Sequence, residues 1–183
     1  MMQSLAKFIF FKCLGWRIVG NSDFSKNRVK KAILIAAPHT SWHDFYIGIL
    51  IRAVVQFKSN FIAKKELFVF PLGWFLRTVG GSPINRQANE NKVDAIAKLF
   101  DDKEEFRIAL APEGTRQKVE TFRSGFYYIA KKAQVPIIMF TLDYENKQTK
   151  VSEPFYPSEN IEDDFKYIYD FFKDVKGKIV EFS

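Results

Sequence analysis

The sequence predicts an α/β fold, a single domain with a mostly parallel central sheet flanked by helices. Three observations carry that expectation. Short apolar runs at Ala32 to Ala36, Phe106 to Ala111 and Pro136 to Leu142 have the length of strands buried on both faces. Segments with helical spacing separate them, and strands alternating with helices build a parallel sheet. A chain of 183 residues with no repeat, linker or low-complexity stretch fits one domain, 1–183, with a core of its own.

Taken in order, residues 2 to 14 read as a helix, with Leu5, Phe8, Ile9, Phe11 and Leu14 near helical spacing and Lys7 and Lys12 among them. Two uses fit it: an amphipathic helix packed on the domain, or an interfacial helix with lysines reaching lipid phosphates. Gly15 to Gly20 reads as a short strand ending in the turn Gly20 to Asp23, and Lys26 to Lys31 as an exposed basic run. Ala32 to Ala36 is a buried strand closed by Pro38. Ser41, with Thr40 competing, is expected to cap a helix running to Val55.

A strand follows at Asn60 to Ala63. A short helix begins near Pro71 and is ended by Gly80-Gly81, and Ser82 to Asn85 is extended. Asn89 or Asn91 to Asp102 is amphipathic, with Val93, Ile96, Ala97, Leu99 and Phe100 inward. After the strand Phe106 to Ala111 come a helix at Gly125 to Gln134 and the strand Pro136 to Leu142. Lys147 to Ser152 reads as a polar edge strand, and Ile161 to Val175 as a C-terminal helix.

The formal net charge is +7, which favours anionic partners: a nucleic acid, an acidic lipid surface or a phosphorylated substrate. The 20 phenylalanines lie mostly in apolar runs, apart from those beside lysines at the N-terminus. That distribution suits a core and a lipid-facing surface, and it argues against nucleic acid, whose binders interleave basic and stacking residues on one face. One cysteine, Cys13, permits no internal disulfide and fits a reducing compartment. No apolar run reaches the roughly 18 to 20 residues of a bilayer span, and no signal peptide is recognisable. The expectation is a cytoplasmic protein, soluble or peripheral on the cytoplasmic membrane face.

Both histidines lie in Ala36 to Phe45, directly after a buried strand. Imidazole suits proton transfer near neutral pH. Inside one regular helix, side chains five positions apart diverge by about 140°. His39 and Asp44 therefore meet only if His39 sits on the turn and Asp44 in the first helical turn. A carboxylate so placed would fix the imidazole tautomer and stabilise the imidazolium. A second polar cluster, Glu113 to Arg116, follows another apolar strand. In open α/β sheets ligands bind beyond the carboxyl ends of strands, so neighbouring parallel strands would point both clusters into one crevice. No nucleophile motif of the G-x-S-x-G type is present.

Four blocks occur in order: HTSWHD at His39 to Asp44, GGSPINR at Gly80 to Arg86, EGTR at Glu113 to Arg116, and VPII at Val135 to Ile138. With these blocks the sequence resembles the glycerolipid (lysophospholipid) acyltransferase family over about residues 30 to 140, as a short form without transmembrane helices. The resemblance implies an acyltransferase-like fold. It also implies transfer of a fatty acyl group from a thioester donor, acyl-CoA or acyl-carrier protein, to the hydroxyl of a lysolipid acceptor such as 1-acylglycerol-3-phosphate. His39 would be the general base and Asp44 its orienting carboxylate. Arg86 and Arg116 would hold the acceptor's phosphate, with Glu113, Gly114, Thr115 and Arg123 also at the substrate site. The thioester is already activated, so no cofactor or metal is implied. The sequence departs from the pattern at His43, where another residue is common, and at Arg123, where a lysine is common.

Two other readings compete. His39, His43 and Asp44 have the spacing of a metal-dependent hydrolase site, although no further His or Cys cluster completes it. A non-catalytic lipid-binding module is the third, and the intact blocks argue against it. His43 itself reads best as a structural neighbour.

Overall fold

The computed structural model of the protein describes residues 2–21, 29–84, 92–101 and 103–183. In chain order the strands are β1 (Arg17–Gly20), β2 (Lys31–Ala37), β3 (Asn60–Lys64), β4 (Gly81–Ile84), β5 (Phe106–Leu110), β6 (Ile137–Thr141) and β7 (Gln148–Val151). The α-helices are α1 (Met2–Lys7), α2 (His43–Val55), α3 (Leu72–Thr78), α4 (Lys92–Asp101), α5 (Gly125–Ala133) and α6 (Ile161–Phe172). One 7-stranded sheet runs in the order β1-β7-β6-β2-β5-β3-β4. Every described pairing is parallel except β6 with β7.

The central position of β2 follows from its composition. Alternate residues of Ala32-Ile33-Leu34-Ile35 face opposite sides of the sheet, and all four are buried. Ala32 and Leu34 join Ile138, Phe140, Ile47 and Ile51 in a cluster under α1 and α2. Ile33 and Ile35 join Ile108, Ile137, Met139, Phe126 and Ile168 in a cluster under α4, α5 and α6. A strand with only one apolar face would leave one helical layer without a partner. Registers Ile33↔Ile108 and Ile33↔Ile137 then align the carboxyl ends of β2, β5 and β6 at one end of the sheet.

Four expectations change. Leu99, expected inward on the 89–102 helix, is 40% exposed. The 148–151 strand is interior, between β1 and β6, and β1 and β4 are the edges. Its polar residues alternate with buried Thr149 and Val151, so the strand is covered on one face despite its composition. Neither Ser41 nor Thr40 is the N-cap of α2. Trp42 occupies that place, and Ser41 Oγ accepts the His43 N–H at 3.3 Å. The last helix stops at Phe172.

The N-terminal helix continues from α1 into a π-helix, Phe8–Cys13, in which the Leu14 N–H reaches back five residues to the Ile9 carbonyl at 2.9 Å. Its inward face is Ala6 and Phe10, while Leu5, Phe8 and Phe11 of the expected apolar stripe point to solvent. The segment therefore packs on the domain and also presents an apolar outer face. Part of the basic run (26–28), the Ser22-Asp23 part of the turn after β1, Asn85, Arg86, and the start and last residue expected for the 89–102 helix lie outside the described residues.

Candidate functional site

The site begins where β2 ends. The chain leaves Ala37, turns through Pro38 to His39, and enters α2 at His43. Asp44, in the first turn of α2, reaches back across that turn. Its Oδ2 accepts the Thr40 N–H at 2.9 Å and the Ser41 N–H at 2.8 Å, and it lies 3.0 Å from His39 Nδ1. The five-residue spacing thus closes by the turn-plus-first-helical-turn geometry, and the carboxylate ties down the two amides of the turn that precedes the helix. With Nδ1–H donated to Asp44, Nε2 is the ring nitrogen left with a lone pair. The His39 side chain is 25% exposed and that of Asp44 2%.

Burial alone would raise the Asp44 pKa. Hydrogen bonds from His39, Ser41 and Tyr144 outweigh it and hold the carboxyl below its usual range. The negative charge beside His39 Nδ1 is thereby secured at neutral pH.

Parallel pairing of β2 with β5 brings the second cluster alongside. Glu113 is buried, and both its oxygens receive the backbone N–H of His39, at 2.9 and 3.1 Å. Burial pushes its pKa up, partly offset by that N–H, and the nearby Asp44 charge adds to the rise. Gly114 follows at φ +67°, a conformation that favours glycine. A Cβ there would stand 2.6 Å from Arg123 Nε, so the Arg123 side chain crosses directly over the loop. The Arg123 N–H also donates to the Pro112 carbonyl at 2.9 Å. Thr115 Oγ1 accepts the Gln117 N–H at 3.3 Å within the loop. Arg116 is exposed, with Nε 3.5 Å from His39 Nε2.

His39, Asp44, Glu113, Gly114, Arg116 and Arg123 thus gather at one end of the sheet, while Arg86 lies outside the described residues. His43 is turned into local contacts: its Nδ1 lies 2.9 Å from Ser41 Oγ, and its ring stacks 4.1 Å from Trp42. Among the described residues no three His, Cys, Asp or Glu side chains are grouped to hold a metal ion.

Two contributors escaped the sequence reading. Tyr144, in the β6–β7 turn, donates its hydroxyl to Asp44 Oδ1 at 2.8 Å. The C-terminal segment packs behind the histidine loop, with the Ile179 N–H on Thr40 Oγ1 at 3.1 Å and Gly177 against Thr40 and Pro38. The rule that sites form at strand carboxyl ends, extended to β6, is the signal that marks the Tyr144 turn.

Chemically, the arrangement is an imidazole with a buried carboxylate at Nδ1, its Nε2 turned toward Arg116, and exposed guanidinium groups beside it. The acyltransferase family profile matches residues 17–142. A 1-acyl-sn-glycerol-3-phosphate acyltransferase of Saccharomyces cerevisiae is 26% identical over 168 residues, covering 82% of this chain and 52% of its own. One from Streptococcus pneumoniae is 30% identical over 132 residues, covering 69% and 48%. The chloroplastic BAT2 enzyme of that name from Brassica napus is 29% identical over 109 residues, covering 57% and 32%. The chain thus spans from about a third to about half the length of these relatives. The crystal structure of the 1-acyl-sn-glycerophosphate acyltransferase PlsC from Thermotoga maritima shares the fold, with a TM-score of 0.64 at 23% identity. That alignment covers 94% of this chain and 75% of the other.

Proposed function

This chain belongs to the acyltransferase family, and from that premise we propose that it moves a fatty acyl group from a thioester donor, acyl-CoA or acyl-carrier protein, to the hydroxyl of a lysophospholipid. 1-Acylglycerol-3-phosphate is the first acceptor to test. The observation that carries the reading is the 3.0 Å contact of His39 Nδ1 with Asp44 Oδ2, which leaves Nε2 beside Arg116.

In the proposed reaction His39 Nε2 takes the acceptor's hydroxyl proton as that oxygen attacks the thioester carbonyl. Asp44 stabilises the imidazolium so formed. The carbon–sulfur bond of the resulting adduct breaks, the imidazolium returns the proton to the departing thiolate, and ester and free thiol result. Arg116 would hold the acceptor phosphate as a planar fork, with Arg86 as its expected companion and Arg123 alongside. The thioester already carries an activated acyl group, so these steps call on no cofactor.

We place the enzyme peripherally at a membrane, on its cytoplasmic face. No helix among the described residues is long and apolar enough to cross a bilayer. Support for surface contact comes from two exposed apolar areas. One is the outer face of the N-terminal helix, with Leu5, Phe8 and Phe11 beside Lys7 and Lys12. The other is the segment between β3 and α3 with the start of α3, where Phe70 is 90% and Trp74 68% exposed. Apolar clusters of this kind mark interaction surfaces, and Trp and Phe suit the headgroup boundary.

The test is thiol release from acyl-CoA and from acyl-carrier protein with lysolipid acceptors, the product ester being identified by mass spectrometry. His39→Ala should abolish it. Turnover that survives His39→Ala would refute the mechanism.

A further inference from the structure

We propose that Tyr144 is a positioning residue for the His39–Asp44 pair, and that Trp16 holds Tyr144 in place, making the N-terminal helix part of the active-site scaffold. The inference rests on His39 being the base.

Asp44 is gripped at both oxygens. Oδ2 takes His39 Nδ1–H and two backbone N–H groups. Those three donors leave the carboxylate free to pivot about Oδ2, and the Tyr144 hydroxyl on Oδ1 stops the pivot. Fixing the carboxylate plane fixes the direction from which the imidazole is met, and so the aim of Nε2. Burial, then the hydrogen bond to Asp44 and the Asp44 charge, raise the Tyr144 pKa far above its ordinary value, so the phenol stays a donor at any working pH.

Tyr144 is anchored in turn. Its N–H donates to the Lys176 carbonyl at 2.9 Å, and the Lys178 ammonium lies 5.7 Å from its ring centroid. Buried Trp16 meets the ring edge-on at 5.0 Å and 89°. Trp16 also touches Phe10 of the π-helix, with centroids 5.9 Å apart. The contacts Phe10, Trp16, Tyr144, Asp44, His39 are therefore continuous from the N-terminal helix to the base.

A phenol that donates to Oδ1 draws charge from the carboxylate. Without it, Oδ2 faces the imidazole with more charge and favours the imidazolium, so the acid limb of the kcat/KM profile moves to higher pH. The other titratable or charged groups in the neighbourhood are Glu113 and Arg116 at His39, Tyr46 and Lys178 near Tyr144, and His43 on α2, turned toward Ser41 and Trp42. Tyr144→Phe leaves all of them in place.

The experiment measures Tyr144→Phe in the full chain by acyl-transfer kinetics across pH and by NMR of the His39 Nδ1–H proton. His43→Asn spectra assign the imidazole signals. The expected result is a kcat lower by about 10- to 100-fold with acceptor KM within about threefold. The acid limb should rise by about half a unit, and the Nδ1–H resonance should broaden. Trp16→Leu should reproduce part of this, and Trp16→Phe should restore it. Site-specific 3-fluorotyrosine at position 144, a stronger donor that keeps the ring, should move the limb the opposite way and serves if Tyr144→Phe fails to fold. An unchanged kcat, limb and Nδ1–H signal in Tyr144→Phe would overturn the proposal, as would an unmoved limb with fluorotyrosine. If the unmodified protein transfers no acyl group, the proposed activity fails, while the NMR signal still decides whether Tyr144 positions the pair.

Discussion

The carboxylate of Glu113 brackets the backbone N–H of His39, its two oxygens 2.9 and 3.1 Å away, so the loop after β5 holds the main chain of the residue that ends the turn after β2. Glu113 thereby supports the proposed base from behind. Glu113→Ala should lower kcat by about 10- to 100-fold, since small misplacements of a catalytic group carry costs of that order, and should leave acceptor KM nearly unchanged. Steady-state kinetics separate this from direct acceptor contact, which would raise KM.

Asp44→Asn tests tautomer control. An amide at this position presents the wrong partner to Nδ1, and a loss of about 10³- to 10⁴-fold in kcat/KM is expected, as in histidine–aspartate pairs elsewhere.

The same substitution has a pH signature in stability. The Asp44 pKa is lowered on folding, so its contribution is complete above the unfolded value near 3.8 and is lost as pH falls through the folded value. Thermal melts of wild type and Asp44→Asn should differ most near neutral pH and converge on acidification below about pH 4. Glu113 has the opposite sign: its pKa is raised on folding, so it lowers stability as pH rises above about 4.5.

Arg116→Ala should raise KM for a phosphate-bearing acceptor by roughly 10- to 100-fold, the range of a lost hydrogen bond to a charged group. An acceptor without phosphate should be nearly indifferent. Arg116→Lys should recover only part, because an ammonium cannot make the planar two-point contact.

Gly177→Ala should destabilise the protein from behind the site. The added methyl would stand 2.6 Å from Thr40 side-chain atoms and 3.2 Å from Pro38 Cγ. Overpacking of this kind costs about 1–3 kcal/mol, or a drop of roughly 2–12 °C in Tm for this chain length. Calorimetry checks the first effect, and a reduced kcat would report displacement of the histidine loop.

Phe70→Ser and Trp74→Ser should each weaken sedimentation with anionic vesicles by about tenfold or more, given the apolar area each presents. Unchanged sedimentation would leave the membrane contact to the N-terminal helix alone.

Much of the site was legible because its information is local. A two-sided apolar run located β2, and Pro38 with the following helix placed His39 and Asp44 on either side of a turn. The pairing of the two polar clusters followed from the single assumption that β2 and β5 are parallel neighbours, which they are. What escaped was non-local. Tyr144 reaches Asp44 across 100 residues, and although its place just after β6 marks the turn, nothing local says that its hydroxyl meets Asp44. The interior place of β7 was hidden by Gln148 and Lys150, because polar composition reports one face of a strand and not its neighbours. Ser41 has the right chemistry for a cap, but the helix starts one residue later than expected, and its hydroxyl meets only the His43 N–H, while Asp44 takes the amides of Thr40 and Ser41 in the turn before the helix.

The pairing of β1 with β7 has a consequence in time. Arg17 and Gln148 are hydrogen-bonded neighbours 131 residues apart. At a synthesis rate of about 5–20 residues per second, roughly 7–26 s pass between the making of the first strand and the appearance of its partner. Throughout that interval the phenylalanine-rich stretch ahead of β1 has no completed sheet edge behind it. A nascent chain of this protein therefore passes through a stage in which that stretch has not yet met the β6–β7 turn against which Trp16 packs.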